Sequence, residues 1–143
     1  MNKQSLAEKV VDKMMADDAF SRWLGIEVRE IRPGYTELEL TVRPEMLNGF
    51  RVAHGGIAYA LADSALAFAS NSHGRVALAL ENNISYTRKV EEGNVLTATA
   101  EELSLGSRIG VYRIAVSRQD GKGVALFRGT VFRTKEYHFP DEE

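Results

Sequence analysis

The sequence predicts an α+β fold: a mostly antiparallel sheet around one long, buried helix, with a shorter helix ahead of it. Three observations predict it. The stretch 57–71 is rich in Ala and Leu and apolar on every side, as expected of a helix with no solvent face. After Gly74 the chain offers only apolar runs separated by short polar turns, with no second helical period. Ahead of both, Leu6, Val10 and Met14 recur at i+4 steps behind the capping-box pattern Ser5-Leu6-Ala7-Glu8, which predicts an amphipathic helix starting at Ser5.

The elements follow in order. Gly25 opens a new pattern, and Ile26, Val28 and Ile31 read as a strand. Pro33-Gly34 is a turn signal. Leu38, Leu40 and Val42 then alternate with Glu37, Glu39 and Thr41, the period-2 mark of a strand with one wet face. Residues 44–53 form a loop, and His54-Gly55-Gly56 leads into the apolar helix, which Gly74 ends. Strands are expected at 76–80 running on to 83–88, then at 95–100, 109–116 and 124–132, with Asp120-Gly121 as the last hairpin turn. The tail 139–143 is acidic and expected to fray. A helix of about 16 residues is roughly 24 Å long, the reach of about seven strand residues. One curved sheet therefore spans it but leaves one side open, and a second subunit is the simplest cover.

Composition narrows the function. The 143 residues, 1–143, make a single domain, with a formal net charge of −2 and no cysteine. That balance argues against a broad nucleic-acid surface, and the missing thiols remove disulfides, a Cys nucleophile and thiolate metal sites. No phosphate loop, dinucleotide fingerprint, nucleophile elbow or paired-histidine zinc motif occurs, so no metal or cofactor is expected. The N-terminus lacks the apolar core of a signal peptide and the longest apolar stretch is too short to span a membrane. A cytoplasmic protein without membrane partners is the expectation.

Asp63 is the one charged residue between Gly55 and Asn71. An unpaired carboxylate in an apolar helix costs several kcal/mol, so Asp63 either caps something or pairs with an arginine, or it works as an acid–base group whose pKa burial raises. His54-Gly55-Gly56 is either a tight turn or a helix start whose free N–H groups receive a substrate carbonyl. Gly55 and Asp63 are eight residues apart, about 12 Å along a helix axis, too far to serve one carbonyl from one chain. Asn48-Gly49 is a turn signal that also places an amide shortly before His54.

Leu47-Asn48-Gly49, His54-Gly55-Gly56 and Leu61-Ala62-Asp63, with Ala69-Ser70-Asn71-Ser72, 96–100, Gly110-Val111-Tyr112 and 124–129, resemble the hot-dog-fold acyl-CoA thioesterases, and within them the PaaI subgroup of phenylacetate degradation. The resemblance runs from about residue 20 to 133. It implies a central helix wrapped by an antiparallel sheet, and homodimers, usually assembled as dimers of dimers into homotetramers. It implies hydrolysis of an acyl-CoA, with phenylacetyl-CoA or hydroxyphenylacetyl-CoA as the expected substrate. Asp63 would be the base or nucleophile, Gly55 of the other subunit the oxyanion donor, Asn48 the water-placing amide and His54 an orienting group. Gly56, Arg88 and Lys89 are the candidate substrate-binding residues, the two cations for the coenzyme A phosphates. Where many relatives carry Ser or Thr, this chain has Ala77 and Ala79; Ser85 and Thr87 are the nearest hydroxyls. Two alternatives stand beside hydrolysis. One is a hot-dog hydratase or dehydratase using a histidine base, whose signature His138-Phe139-Pro140 resembles, though displaced into the tail. The other is a non-catalytic acyl-CoA-binding module.

Overall fold

The computed structural model describes residues 1–142. Helices α1 (Lys3–Asp17) and α2 (Ala19–Trp23) precede strands β1 (Glu27–Arg32) and β2 (Tyr35–Thr41). Helix α3 (Gly55–Asn71) follows, and then β3 (Arg75–Tyr86), β4 (Val95–Leu105), β5 (Ile109–Ser117) and β6 (Gly123–Tyr137). The strands form one sheet in the order β1-β2-β4-β5-β6-β3, antiparallel at every pairing. This is the expected α+β hot-dog architecture. Alternation along the strands aims Leu38, Leu96, Ala98, Ile114, Phe127 and Val131 at α3, where they are buried. Close approach of helix to sheet has a local cause: a Cβ on Gly129 would lie 2.5 Å from Leu66 Cδ2. Glycine in mid-strand marks such a backbone approach.

Several expectations change. Helix α1 starts at Lys3 instead of Ser5, because Asn2 Oδ1 accepts the Ser5 N–H at 2.7 Å and acts as the N-cap. The runs 76–80 and 83–88 are one twelve-residue strand with a bulge between Ala79 and Glu81, and β4 and β6 extend past the expected 95–100 and 124–132. The open side of α3 is not left wholly to a second subunit. Helix α1 packs on both α3 and β1, burying Leu6, Ala7, Val10 and Val11. On α3, Gly56 is exposed and Gly55, Ile57, Tyr59, Ala60, Asp63, Ser64 and Ala67 are half-exposed, with Ala60, Asp63 and Ala67 forming one stripe. The tail is also tied down through Phe139: the Lys9 and Lys13 ammonium groups lie 4.2 and 5.0 Å from its ring centroid. Glu143, the last residue of the expected frayed tail, lies outside the described residues. No helix is long and apolar enough to cross a membrane among the described residues.

Candidate active site

The start of α3 is built by His54. Its backbone is extended, and its Nδ1 accepts the Gly56 N–H at 2.9 Å. That bond uses the ring's lone pair at Nδ1, so a neutral His54 carries its proton on Nε2 and presents a donor, not a base. The Gly55 N–H, next in the same turn, has no hydrogen-bond partner among the described residues. It is one of the orphan donors at the positive end of the helix dipole. The Gly55 carbonyl is held by the Tyr86 hydroxyl, which donates to it at 2.8 Å. A Cβ on Gly55 would sit 3.2 Å from that hydroxyl, so glycine here lets Tyr86 approach. A cavity of about 410 Å³ opens beside them, lined by His54, Gly55, Ala58, Tyr86, Arg88 and Lys89 among others.

Asp63 faces elsewhere. It lines a separate cavity of about 340 Å³ with Leu66, Ala67, Ala79, Val131, Met14 and His138. Asn82, inward-facing on β3, donates from Nδ2 to Asp63 Oδ1 at 3.3 Å and to the Tyr59 hydroxyl at 3.2 Å. Asn82 lies opposite Gly129 in the β3–β6 register, and a Cβ there would come within 3.0 Å of Asn82 Oδ1. Asp63 forms no ion pair among the described residues, so the arginine-partner reading fails. Burial pushes its carboxyl above the ordinary aspartate range, the Asn82 hydrogen bond pulls it down, and the negative charge of Asp18 pushes it further up. Asp18 is fixed as the cap of α2. It accepts from the Ser21 N–H and hydroxyl at 2.9 and 2.7 Å, and Ser21 Oγ meets Ser64 Oγ at 2.8 Å, beside Asp63 in sequence.

The other expected site residues divide. Arg88 and Lys89 line the Gly55 cavity. Arg88 also donates to the Gly123 carbonyl at 2.9 Å, and Lys89 pairs with Glu91 at 3.3 Å on the exposed surface. Asn48 and Gly56 line neither cavity. Asn48 Oδ1 is spent on its own loop, accepting the Phe50 and Val52 N–H groups at 2.9 and 3.4 Å, so the turn reading holds and only its Nδ2 stays open. Ser85 lies on the outer face of the sheet with Leu126 and Arg128, away from Asp63, while Thr87 reaches the Gly55 cavity. Asn82, Tyr86 and Gly129 are the contributors that sequence reasoning missed. Mid-strand Gly129 and a polar Asn82-Asn83 pair inside a strand were the available signals.

Residues 50–125 match the model of the thioesterase superfamily. The acyl-coenzyme A thioesterase PaaI of Escherichia coli K12 is 41% identical over 120 residues, covering 84% of this chain and 86% of its own. The structure of E. coli PaaI, from the phenylacetic acid degradation operon, superposes with a TM-score of 0.93 at 37% identity, over 95% of this chain and 99% of the other. A point mutant of the phenylacetic acid degradation protein PaaI from Thermus thermophilus matches at TM-score 0.79 and 44% identity, over 82% of this chain and all (100%) of that one. A hypothetical thioesterase protein from Streptococcus pneumoniae TIGR4, solved with coenzyme A, matches at TM-score 0.75 and 26% identity, over 78% and 90% of the two chains.

Proposed function

The chain belongs to the thioesterase superfamily and is an acyl-CoA thioester hydrolase of PaaI type, and from that premise we propose an aromatic acyl-CoA as its substrate and a site shared between two chains as its mechanism. The observation that carries the shared site is the separation of Asp63 from the Gly55 N–H into two cavities of one chain. Each chain then holds two half-sites, and a second copy joins them.

In that joined site the thioester carbonyl oxygen accepts from the Gly55 N–H of one chain, at the positive helix end where developing negative charge is stabilised. The His54 Nε2–H is a further donor at the same helix start. Asp63 of the other chain takes a proton from water, whose oxygen attacks the carbonyl carbon. The tetrahedral intermediate collapses by breaking the C–S bond, and the proton held on Asp63 passes to the departing thiolate, giving the free acid and coenzyme A and restoring the carboxylate. A positioned base is worth about 10²–10⁴-fold and an oxyanion donor about 10²–10³-fold. Arg88 and Lys89 supply positive charge for the coenzyme A phosphates beside Gly55. The mostly apolar wall of the Asp63 cavity favours an aryl group, in keeping with the phenylacetic acid degradation proteins among its relatives. A hydration with His54 Nδ1 as the base is disfavoured, because that nitrogen is already engaged by Gly56.

Thiol release from an acyl-CoA panel tests this reading. Phenylacetyl-CoA is expected to give free coenzyme A, and Asp63→Asn to lower kcat by at least about 10²-fold while the fold persists. Near-normal turnover by that variant removes Asp63 from the mechanism.

A further inference from the structure

The outer face of the sheet, turned away from α3, carries a hollow of its own. It measures about 230 Å³, and its walls include Asn83 and Ser85 from β3, Leu126 and Arg128 from β6, Arg113 from β5 and Leu103 from β4. It shares no lining residue with the Gly55 or the Asp63 cavity. Three of its polar side chains form a row across neighbouring strands. Asn83 lies opposite Arg128 in the β3–β6 register, and Arg128 lies opposite Arg113 in the β5–β6 register. Like charges directly opposite on paired strands are destabilising, because their Cβ atoms are only about 4.5–5.5 Å apart. Glu101 relieves one of the two cations: it lies opposite Arg113 on β4, and its carboxylate meets Arg113 Nη2 at 3.3 Å. Arg128 has no such relief. Its side chain makes no ion pair and no hydrogen bond among the described residues, and the side chains of Asn83 and Ser85 make no hydrogen bond either. Three hydrogen-bonding groups are thus unengaged around one hollow, and Leu103 and Leu126 lie exposed beside them.

An anion between the two guanidinium groups turns their repulsion into attraction. A guanidinium fork matches the oxygens of a carboxylate or phosphate and holds them by charge-assisted hydrogen bonds. Asn83 and Ser85 add neutral donors on the β3 side, and the two leucines offer apolar surface to whatever group carries the anion. We propose that this hollow is a second ligand site, for a small organic oxyanion with an apolar body: Arg113 and Arg128 grip the charged group, and Leu103 and Leu126 cover the apolar one. Carboxylic acids, which thioester hydrolysis releases, and phosphate monoesters are the two sources of such a ligand. The site stands apart from the thioester chemistry, and the proposal holds or fails independently of the roles given to Asp63 and Gly55.

Calorimetric titration of the intact protein with phenylacetate and, separately, with phenyl phosphate tests the site. Coenzyme A is present at saturation so that Arg88 and Lys89 are occupied. A saturable component is expected in at least one arm, and the arm that shows it identifies the anion. Arg128→Gln is expected to weaken that component by at least about tenfold, the loss of one hydrogen bond to a charged group. The same variant reads the repulsion: without ligand its Tm is expected above that of wild type, since the unrelieved cation is gone, and the bound anion raises the wild-type Tm more than the variant's. No saturable component in either arm, or binding that Arg128→Gln leaves unchanged, overturns the proposal. Acetate and inorganic phosphate binding as tightly as their phenyl counterparts would overturn the part given to Leu103 and Leu126.

Discussion

Asp63 is held in a balance of opposing influences, and that balance is measurable. Burial and Asp18 raise its pKa while the Asn82 amide lowers it. A base with a raised pKa loses its active, deprotonated form at a higher pH than an ordinary aspartate. The acidic limb of kcat/KM is therefore expected above the usual aspartate value, and Asn82→Ala moves it further up by removing the stabilising donor. An unmoved limb in Asn82→Ala would detach Asn82 from the base. The sign for stability follows from the same shift. The folded state binds the proton more tightly than the unfolded chain, so stability falls as pH rises through the window from the ordinary to the raised value. Above that window Asp63→Asn removes the cost of the buried charge, so its Tm is expected to rise above that of wild type. At this scale Asp63, Gly55 and His54 were legible because each breaks a local rule: a charge in an apolar helix, two glycines at a helix start. Asn82 and Tyr86 were not, because their importance lies in contacts with residues 19 and 31 positions away in sequence.

Helix α3 and strands β3 and β6 act as one unit around Gly129. The missing side chain there admits Leu66 from the helix and Asn82 from β3, and Asn82 in turn reaches Asp63. Gly129→Ala would push a Cβ into Leu66, so overpacking is expected to cost about 1–3 kcal/mol. Because Asn82 is displaced as well, kcat should fall more than the stability loss alone explains. Denaturant unfolding read beside thiol release checks both; an unchanged midpoint would show that the helix yields without cost. The helix and the antiparallel strands were readable from periodicity. The order β1-β2-β4-β5-β6-β3 was not, since alternation tells which face a residue takes and not which neighbour it pairs with. The capping signal at Ser5 was misplaced for a similar reason: Asn2 offered the same chemistry one turn earlier.

At the scale of the molecule, β3 is a twelve-residue edge strand, paired only to β6 and exposing Leu78 and Leu80 at 59% and 60%. A long edge with apolar side chains is a template for pairing with another chain. Together with the half-exposed stripe around Asp63 it indicates where a second copy would complete the site. Sequence spacing carried that inference through the distance from Gly55 to Asp63, but it could not anticipate that α1 of the same chain covers part of α3 or that the chain's own ends wall the cavity. The central claim is that Asp63 and Gly55 act from different chains. Asp63→Asn and Gly55→Pro each remove one half-site; proline's φ suits a first helical position, but its Cβ would crowd the Tyr86 hydroxyl at 3.2 Å, so Gly55→Pro is read only beside a thermal-melting control. In a hybrid dimer one site is doubly broken and the other is intact. Co-expression of the two inactive variants is therefore expected to restore about a quarter of wild-type activity by random pairing. Activity no greater than the sum of the separate variants, with hybrid dimers shown to be present, would place both residues in one chain and contradict the account.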